Sequence, residues 1–135
     1  MPLTDEQRAV LNDNRFCVVA YARKDGPPAV TPVYYVMDGD DILFSTTATR
    51  TKAKVLAKHA EVSVCVMAET HPSPKYVTVY GKARVEHEGA ADLMMRIGQA
   101  MTGNPVPDAA RPMVEKRATD EQRVVVRVTP ERAIP

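Results

Sequence analysis

The feature that most constrains the fold of this sequence is a succession of short β-type segments separated by tight turns. Asp25 and Gly26 form a hairpin signal, and the DGDD at 38–41 marks a second turn. Six segments rich in β-branched and aromatic residues are present, at 15–23, 29–38, 42–47, 61–68, 75–88 and 123–133. Strands joined by tight turns pair antiparallel, so the pattern predicts a mainly antiparallel sheet.

Helical patterns are placed where they can surround this sheet. Thr4 and Gln7 form a capping-box pattern that predicts an N-terminal helix, and further helices are predicted over 49–60 and 89–103. Gly81 interrupts a long strand, as a bulge in a closing barrel would require. The sequence of 135 residues therefore predicts one domain of α+β class, a six-stranded antiparallel barrel with peripheral helices.

The charge distribution limits the kinds of partner. The net charge of +1 argues against nucleic-acid binding, yet residues 42–60 carry four Lys or Arg and no Asp or Glu. Such a local positive site suits a small anion better than a polyanion. The sequence has no long apolar run that would span a membrane and no signal-like N-terminus, so we expect a cytoplasmic protein.

The positive charge is concentrated where a predicted strand ends and a predicted helix begins. Cations are disfavoured there, because a helix N-terminus carries a partial positive charge and unpaired N–H groups. A bound anion reverses that preference, since hydroxyls, N–H groups and cations converge on its oxygens. The hydroxyls and cations available to such an anion are Ser45, Thr46, Thr47, Thr49, Thr51, Arg50, Lys52 and Lys54. The alternative is a solvated helix start whose lysines serve solubility.

Other patterns in the sequence exclude several site types. There is no P-loop and no GxGxxG, so a phosphate would not be held by a glycine loop. Cys17 and Cys65 lie in apolar runs without metal-ligand spacing, which indicates buried thiols rather than a zinc site. A disulfide or a reactive thiol is the alternative for these two residues.

Three stretches together resemble a known family. They are GPPAVTPVYYVMDGDDILFSTTATRTKAKVLAKHAEVSVCVM, KYVTVYGKARVE and RVVVRVTPERA. In element order they resemble the pyridoxamine 5′-phosphate oxidase-like split β-barrels, and most of all the branch of flavin/deazaflavin oxidoreductases that use coenzyme F420. The resemblance covers roughly residues 14–133. It implies a homodimer with two cofactor sites at the subunit interface.

The resemblance also implies which residues hold the cofactor. The phosphate of F420 or FMN would lie on the hydroxyls and cations of the positive turn. The tricyclic ring would lie along the backbone of the second strand. By correspondence, the phosphate residues are Ser45, Thr46, Thr47, Arg50 and Lys52, and the ring residues are Thr31, Pro32 and Val33.

The activity implied by the resemblance is hydride transfer from reduced F420 to a small electron-poor substrate, with the chemistry carried by the cofactor. An FMN-dependent oxidoreductase and a non-catalytic flavin, deazaflavin or haem binder are the alternatives. His71, Tyr76 and Tyr35 are candidate proton donors, although solvent can also supply the proton. No metal site and no catalytic residue is assigned.

Overall fold

The computed structural model describes residues 2–68 and 75–135. Within these ranges the chain forms seven strands, all paired antiparallel, and four α-helices. The strands are β1 (Phe16–Tyr21), β2 (Ala29–Tyr34), β3 (Val36–Asp38), β4 (Asp41–Thr47), β5 (Glu61–Met67), β6 (Tyr76–Glu86) and β7 (Arg123–Ile134). The helices are α1 (Asp5–Asp13), α2 (Thr51–Lys58), α3 (Ala90–Thr102) and α4 (Arg111–Asp120). No helix in the described ranges is long and apolar enough to cross a membrane.

The strand order makes the sheet curl into a partly open barrel. The order is β2-β1-β5-β6-β7-β4-β3, so β2 and β3 form opposite edges of one sheet. Only Tyr35 separates these two strands in the chain, and the two edges must therefore meet at that residue. The predicted α+β class and antiparallel barrel agree with this architecture.

Tyr35 is also the reason that the predicted number of six strands is wrong. The segment 29–38 was expected to be one strand, but it is divided into β2 and β3. The Tyr35 side chain is buried, and its hydroxyl donates to the Leu11 carbonyl at 2.7 Å. Its backbone N–H donates to the Arg15 carbonyl at 3.0 Å. These contacts with the segment that leads from α1 into β1 bend the chain from one sheet edge to the other.

Gly81 occupies a bulge in β6, as its position in the sequence predicted. The register between β6 and β7 shifts between Tyr80 and Gly81. A Cβ added at Gly81 would overlap the carbonyl oxygen of Thr129 on β7. The residue is glycine because the neighbouring backbone occupies the space of a side chain.

Two apolar clusters lie on opposite sides of β4. Ile42 and Phe44 point into the barrel, where they join the valines of β5 and β6. Leu43 points to the other side and packs with Leu93 of α3 and Val125 of β7. The alternation of strand side chains therefore gives β4 an inner face and a face toward α3.

The helices begin close to their predicted positions. Thr4 caps α1, accepting from the N–H of Gln7 at 3.1 Å while the Gln7 side chain accepts from the N–H of Thr4 at 2.8 Å. The capping box is thus confirmed. The predicted helices over 49–60 and 89–103 correspond to α2 and α3, which are shorter at both ends.

Candidate functional site

The candidate site lies where the barrel is open, between β2 and β4. Within residues 2–68 and 75–135, β2 pairs only with β1, and β3 covers β4 only from Asp41 to Leu43. Residues 44–47 of β4 therefore have β7 on one side and no strand on the other, within the described part of the chain. The two strands separate from the Tyr35 junction and leave two unpaired edges. Such edges offer backbone groups to a ligand.

The three predicted ring residues lie on the unpaired edge strand β2. Thr31 and Val33 pair with Val19 and Cys17, and both are half-buried on the barrel side. Pro32 is exposed on the opposite face. The edge position explains how proline is tolerated within a strand. Whether a ring lies along these residues stays a prediction.

The three predicted hydroxyls lie on β4 but do not point to the same side. Thr46 is buried and, by alternation with Phe44, faces the barrel interior. Ser45 and Thr47 face α3; Ser45 Oγ donates to the Val124 carbonyl at 3.1 Å. The Thr47 and Thr49 hydroxyl oxygens are 3.5 Å apart. Of the three predicted hydroxyls, the Thr46 hydroxyl therefore lies on the barrel side of β4, and those of Ser45 and Thr47 lie on the side toward α3.

The N-terminus of α2 follows this strand directly and has no side-chain cap. Arg50 is the N-cap residue in an extended conformation; its side chain makes no capping hydrogen bond and the first turn contains no acid. The turn itself is fixed, because the Ala48 N–H donates to the Gln122 carbonyl at 2.8 Å and the Arg50 N–H to the Thr47 carbonyl at 3.1 Å. Backbone donors and the exposed Arg50 thus lie at one end of the cleft, available to an anion.

Lys52 differs from the other lysines of α2. It is only 7% exposed, and its Nζ lies 5.7 Å from the centre of the Phe44 ring. Burial lowers the pKa of Lys52, and the positive charge of Arg50 lowers it further. No carboxylate pairs with Lys52 within residues 2–68 and 75–135. Lys54, two residues further along α2, is exposed to solvent.

A cavity of about 370 Å³ connects β2, β4 and α3, and we refer to it as the α3 cavity. Val33 and Ser45, two of the predicted cofactor residues, contribute to its wall. The remaining lining residues are Tyr34, Met94, Ile97, Gly98, Met101, Arg117 and Arg123. The α3 cavity thus brings residues of both unpaired strands together with two arginines.

The arginines of this cavity are functional candidates that the sequence did not indicate. Arg117 lies on α4 and Arg123 begins β7, more than sixty residues after the positive turn. Arg123 is adjacent to Thr47 because β4 pairs with β7 in that register. A long-range strand pairing of this kind leaves no local spacing pattern, so no sequence signal was available.

The candidate proton donors have different positions. Tyr35 is buried and its hydroxyl is used in the bond to Leu11 described above. Tyr76 is 46% exposed at the start of β6. His71 lies outside the described residues. None of the described candidates is positioned in the α3 cavity.

Both cysteines are thiols, as predicted, but they do not form a site. Cys17 faces the barrel interior, where burial raises the pKa of its thiol to about 12. Cys65 is half-buried on the opposite face of the sheet, which excludes a disulfide without a change in the strands. Among the described residues, no group of His, Cys, Asp and Glu is arranged to hold a metal ion.

The fold and the cleft define an antiparallel split β-barrel, and the sequence comparison gives the family. The family model for pyridoxamine 5′-phosphate oxidase matches residues 3–134. This chain therefore belongs to the pyridoxamine 5′-phosphate oxidase family, whose members bind flavin-type cofactors and include oxidoreductases. A search of curated proteins gave no significant match.

Solved structures of similar fold carry different functions. A conserved hypothetical protein of Mycobacterium tuberculosis, Rv2991, is 25% identical, with a TM-score of 0.82 over 97% of this chain and 82% of that one. An F420 reductase is 19% identical, with a TM-score of 0.75 over 98% of both chains. HutZ, the heme storage protein from Vibrio cholerae, is 14% identical, with a TM-score of 0.68 over 99% of this chain and 94% of that one. At 19% and 14% identity, the likeness to the reductase and to HutZ shows the fold alone.

Proposed function

We propose that this protein is an oxidoreductase that binds coenzyme F420 and reduces a small electron-poor organic substrate. The observation that carries the proposal is Lys52, a buried ammonium with no anionic partner in the described part of the chain. A buried charge is costly unless it is paired. Its position at an uncapped, cation-rich helix N-terminus makes a phosphate the fitting partner.

The residues of the cleft match a phosphate in their hydrogen-bond donors as well as in their charge. Lys52 supplies an ammonium from the barrel side, and Arg50 supplies a guanidinium that is exposed at the N-cap. The backbone N–H groups of the first turn of α2 add donors that no side chain occupies. Thr46 and Thr47 place hydroxyls just before this turn. We assign phosphate binding to this set, with Ser45 at its margin because its hydroxyl already bonds to Val124.

The ring of the cofactor would lie along Thr31, Pro32 and Val33, on the edge of β2 opposite β1, where no strand of the described part of the chain pairs with it. Reduced F420 supplies a hydride when bound. The chain contributes orientation and exclusion of water, and the buried rings of Phe44 on β4 and Tyr35 next to β2 keep the adjacent barrel interior apolar. The α3 cavity next to Val33 gives a small molecule room to approach the same strand.

The preference for F420 over FMN rests on the resemblance of the STTATRTK turn to the F420-using branch, with the fold of the F420 reductase as support. FMN offers a phosphate to the same turn and is the alternative cofactor. A non-catalytic carrier of a flavin, deazaflavin or haem is the alternative of a different class, supported by the fold of the heme storage protein.

The experiment for this proposal is titration of the purified protein with F420, FMN and haemin, followed by turnover. We expect F420 to bind at least about tenfold more tightly than FMN or haemin. Reduced F420 should then be oxidised only when an enone, imine or quinone is added. Tight FMN binding without F420 binding would show that the cofactor is FMN and not F420. Tight F420 binding without turnover of any acceptor would make the protein a carrier.

We also propose that the active form is a homodimer with a cofactor site at each end of the subunit interface. The outer face of β2, β1, β5 and β6 carries large apolar side chains that are at least a third exposed. These residues are Phe16, Val18, Val30, Tyr34, Met67, Tyr76 and Tyr80. A contiguous apolar sheet face of this kind is typical of an interaction surface, and a second copy would cover it. Tyr34 belongs to this face and also lines the α3 cavity.

Replacing Met67 with glutamate should convert the dimer to a monomer. Met67 is 66% exposed and pairs in register with Tyr76, so a carboxylate there would be buried without a partner in the dimer. Light scattering after gel filtration measures the mass. Met113→Glu is the matched control, because Met113 is 72% exposed but lies on α4, away from this face. A wild-type monomer, or a dimeric Met67→Glu variant, would contradict the proposed interface.

A further inference from the structure

The α3 cavity is lined by two arginines that share one carboxylate. Arg117 Nε donates to both carboxylate oxygens of Glu121 at 3.0 Å. Arg123 Nη2 reaches the same carboxylate only at 3.3 and 3.4 Å. One carboxylate therefore serves two guanidinium groups, and this cluster keeps a positive charge.

Arg123 also has a donor that is not satisfied. Its Nε is buried and has no hydrogen-bond partner in the described part of the chain, whereas the whole side chain is 18% exposed. A buried N–H of a charged group without an acceptor is costly, so such a group indicates a missing partner. The missing partner is an acceptor, because a guanidinium offers only donors.

The rest of the cavity wall determines what kind of molecule brings that acceptor. Val33, Met94, Ile97 and Met101 line it with apolar surface. Methionine side chains adapt well to flat aromatic groups. An apolar wall with a cationic end selects a molecule with an apolar body and one acidic group, and the cavity of about 370 Å³ has the size of a small-molecule site.

We propose that the α3 cavity binds the substrate, and that this substrate is a flat apolar molecule whose acidic group is held by Arg123 and Arg117. The substrate role rests on the proposed function, because Val33 belongs both to this cavity and to the strand assigned to the cofactor ring. Binding of the acidic molecule itself needs no cofactor. Glu121 competes with the ligand for both guanidinium groups.

The test uses 2-naphthoate as an acidic probe and 2-naphthamide as its neutral counterpart. This 135-residue chain contains no Trp, so naphthalene fluorescence can be followed in it without indole background. We expect 2-naphthoate to bind at least about tenfold more tightly than 2-naphthamide, the difference that a charge-assisted contact gives. Equal binding of the two probes would overturn the proposal.

Three variants test whether 2-naphthoate binds in the α3 cavity. Arg123→Gln should weaken 2-naphthoate binding by about tenfold or more, and Glu121→Gln should strengthen it, since the competing carboxylate is removed. Lys116→Gln is the matched control; Lys116 is a cation of α4 that pairs with Asp120 and does not line the cavity. Unchanged 2-naphthoate binding in both Arg123→Gln and Glu121→Gln would overturn the assignment. If Arg123→Gln does not fold, the binding measured with Glu121→Gln alone tests it.

Lys52→Met separates this inference from the proposed function. It should reduce F420 binding but leave 2-naphthoate binding unchanged, because Lys52 does not line the α3 cavity. Loss of 2-naphthoate binding in Lys52→Met would place the probe in the phosphate site and overturn the proposal of a separate acid-binding cavity. If F420 does not bind the wild type at all, the proposed function fails, and the variants at Arg123 and Glu121 still test the cavity.

Discussion

Replacing Lys52 with methionine should weaken cofactor binding about tenfold to a hundredfold, because a charge-assisted contact worth about 1–3 kcal/mol is lost. The same change should leave the apo-protein as stable as the wild type, or more stable. Methionine fills a similar volume and removes a buried ammonium that has no anionic partner in the described residues. A lysine with a purely structural role would show the opposite stability change. Isothermal titration and chemical denaturation measure the two quantities.

The pH dependence of stability gives an independent check on Lys52. Its pKa in the folded apo-protein is lower than the ordinary lysine value that applies to the unfolded chain. Between the two pKa values the unfolded chain binds more protons, so the Lys52 contribution makes the apo-protein more stable as pH rises through this alkaline range. Lys52→Met should lack that rise. An identical alkaline profile in both proteins would show that Lys52 is not buried as a cation.

Lys54→Met is the control for general electrostatic attraction. Lys54 lies on the same helix but is exposed, so its removal should change cofactor affinity by no more than about twofold. An equal loss in Lys54→Met and Lys52→Met would show that α2 attracts the cofactor only through its overall charge.

The second large effect is expected at Gly81. Replacing it with alanine should lower the free energy of unfolding by about 3 kcal/mol, because the new methyl group overlaps the Thr129 carbonyl oxygen. That oxygen belongs to the paired strand β7 and cannot move without disturbing the bulge between β6 and β7. Urea denaturation followed by circular dichroism measures the change.

Gly98→Ala is the matched control for Gly81→Ala. A Cβ at Gly98 meets only the end of the Val106 side chain, at 2.8 Å, and that side chain can shift. Alanine also favours the helix α3 by about 1 kcal/mol, which offsets the contact. We therefore expect a change within about 1 kcal/mol of zero. A Gly81→Ala variant as stable as Gly98→Ala would mean that β7 moves easily at the bulge.

Much of the fold could be predicted because its signals are local. The capping box at Thr4 and Gln7 and the glycine of the bulge each involve a few neighbouring residues. The division of 29–38 at Tyr35 could not be predicted in this way. Its cause is a bond to Leu11 and a curled sheet that brings two edges together. Residues on both sides of Tyr35 are suitable for a strand, so the sequence pattern continues across the bend.

The candidate site was predictable to a smaller extent. The cation-rich start of α2 was visible in the sequence, and the structure adds that Lys52 is buried while Arg50 is exposed. The separation of Thr46 from Ser45 and Thr47 follows from strand alternation along β4, which ends at Thr47 as the predicted third strand does. Burial and the arginines of the α3 cavity depend on contacts between distant segments, which a single sequence does not reveal.

The central claim is that the first turn of α2 holds the phosphate of the cofactor. The most direct measurement compares binding of F420 and of its phosphate-free deazaflavin analogue to the wild type and to Lys52→Met. We predict that removing the phosphate weakens binding about tenfold to a hundredfold in the wild type and only about threefold or less in Lys52→Met, because the two changes remove the same contact. An equal loss in both proteins would contradict the claim and place the phosphate elsewhere.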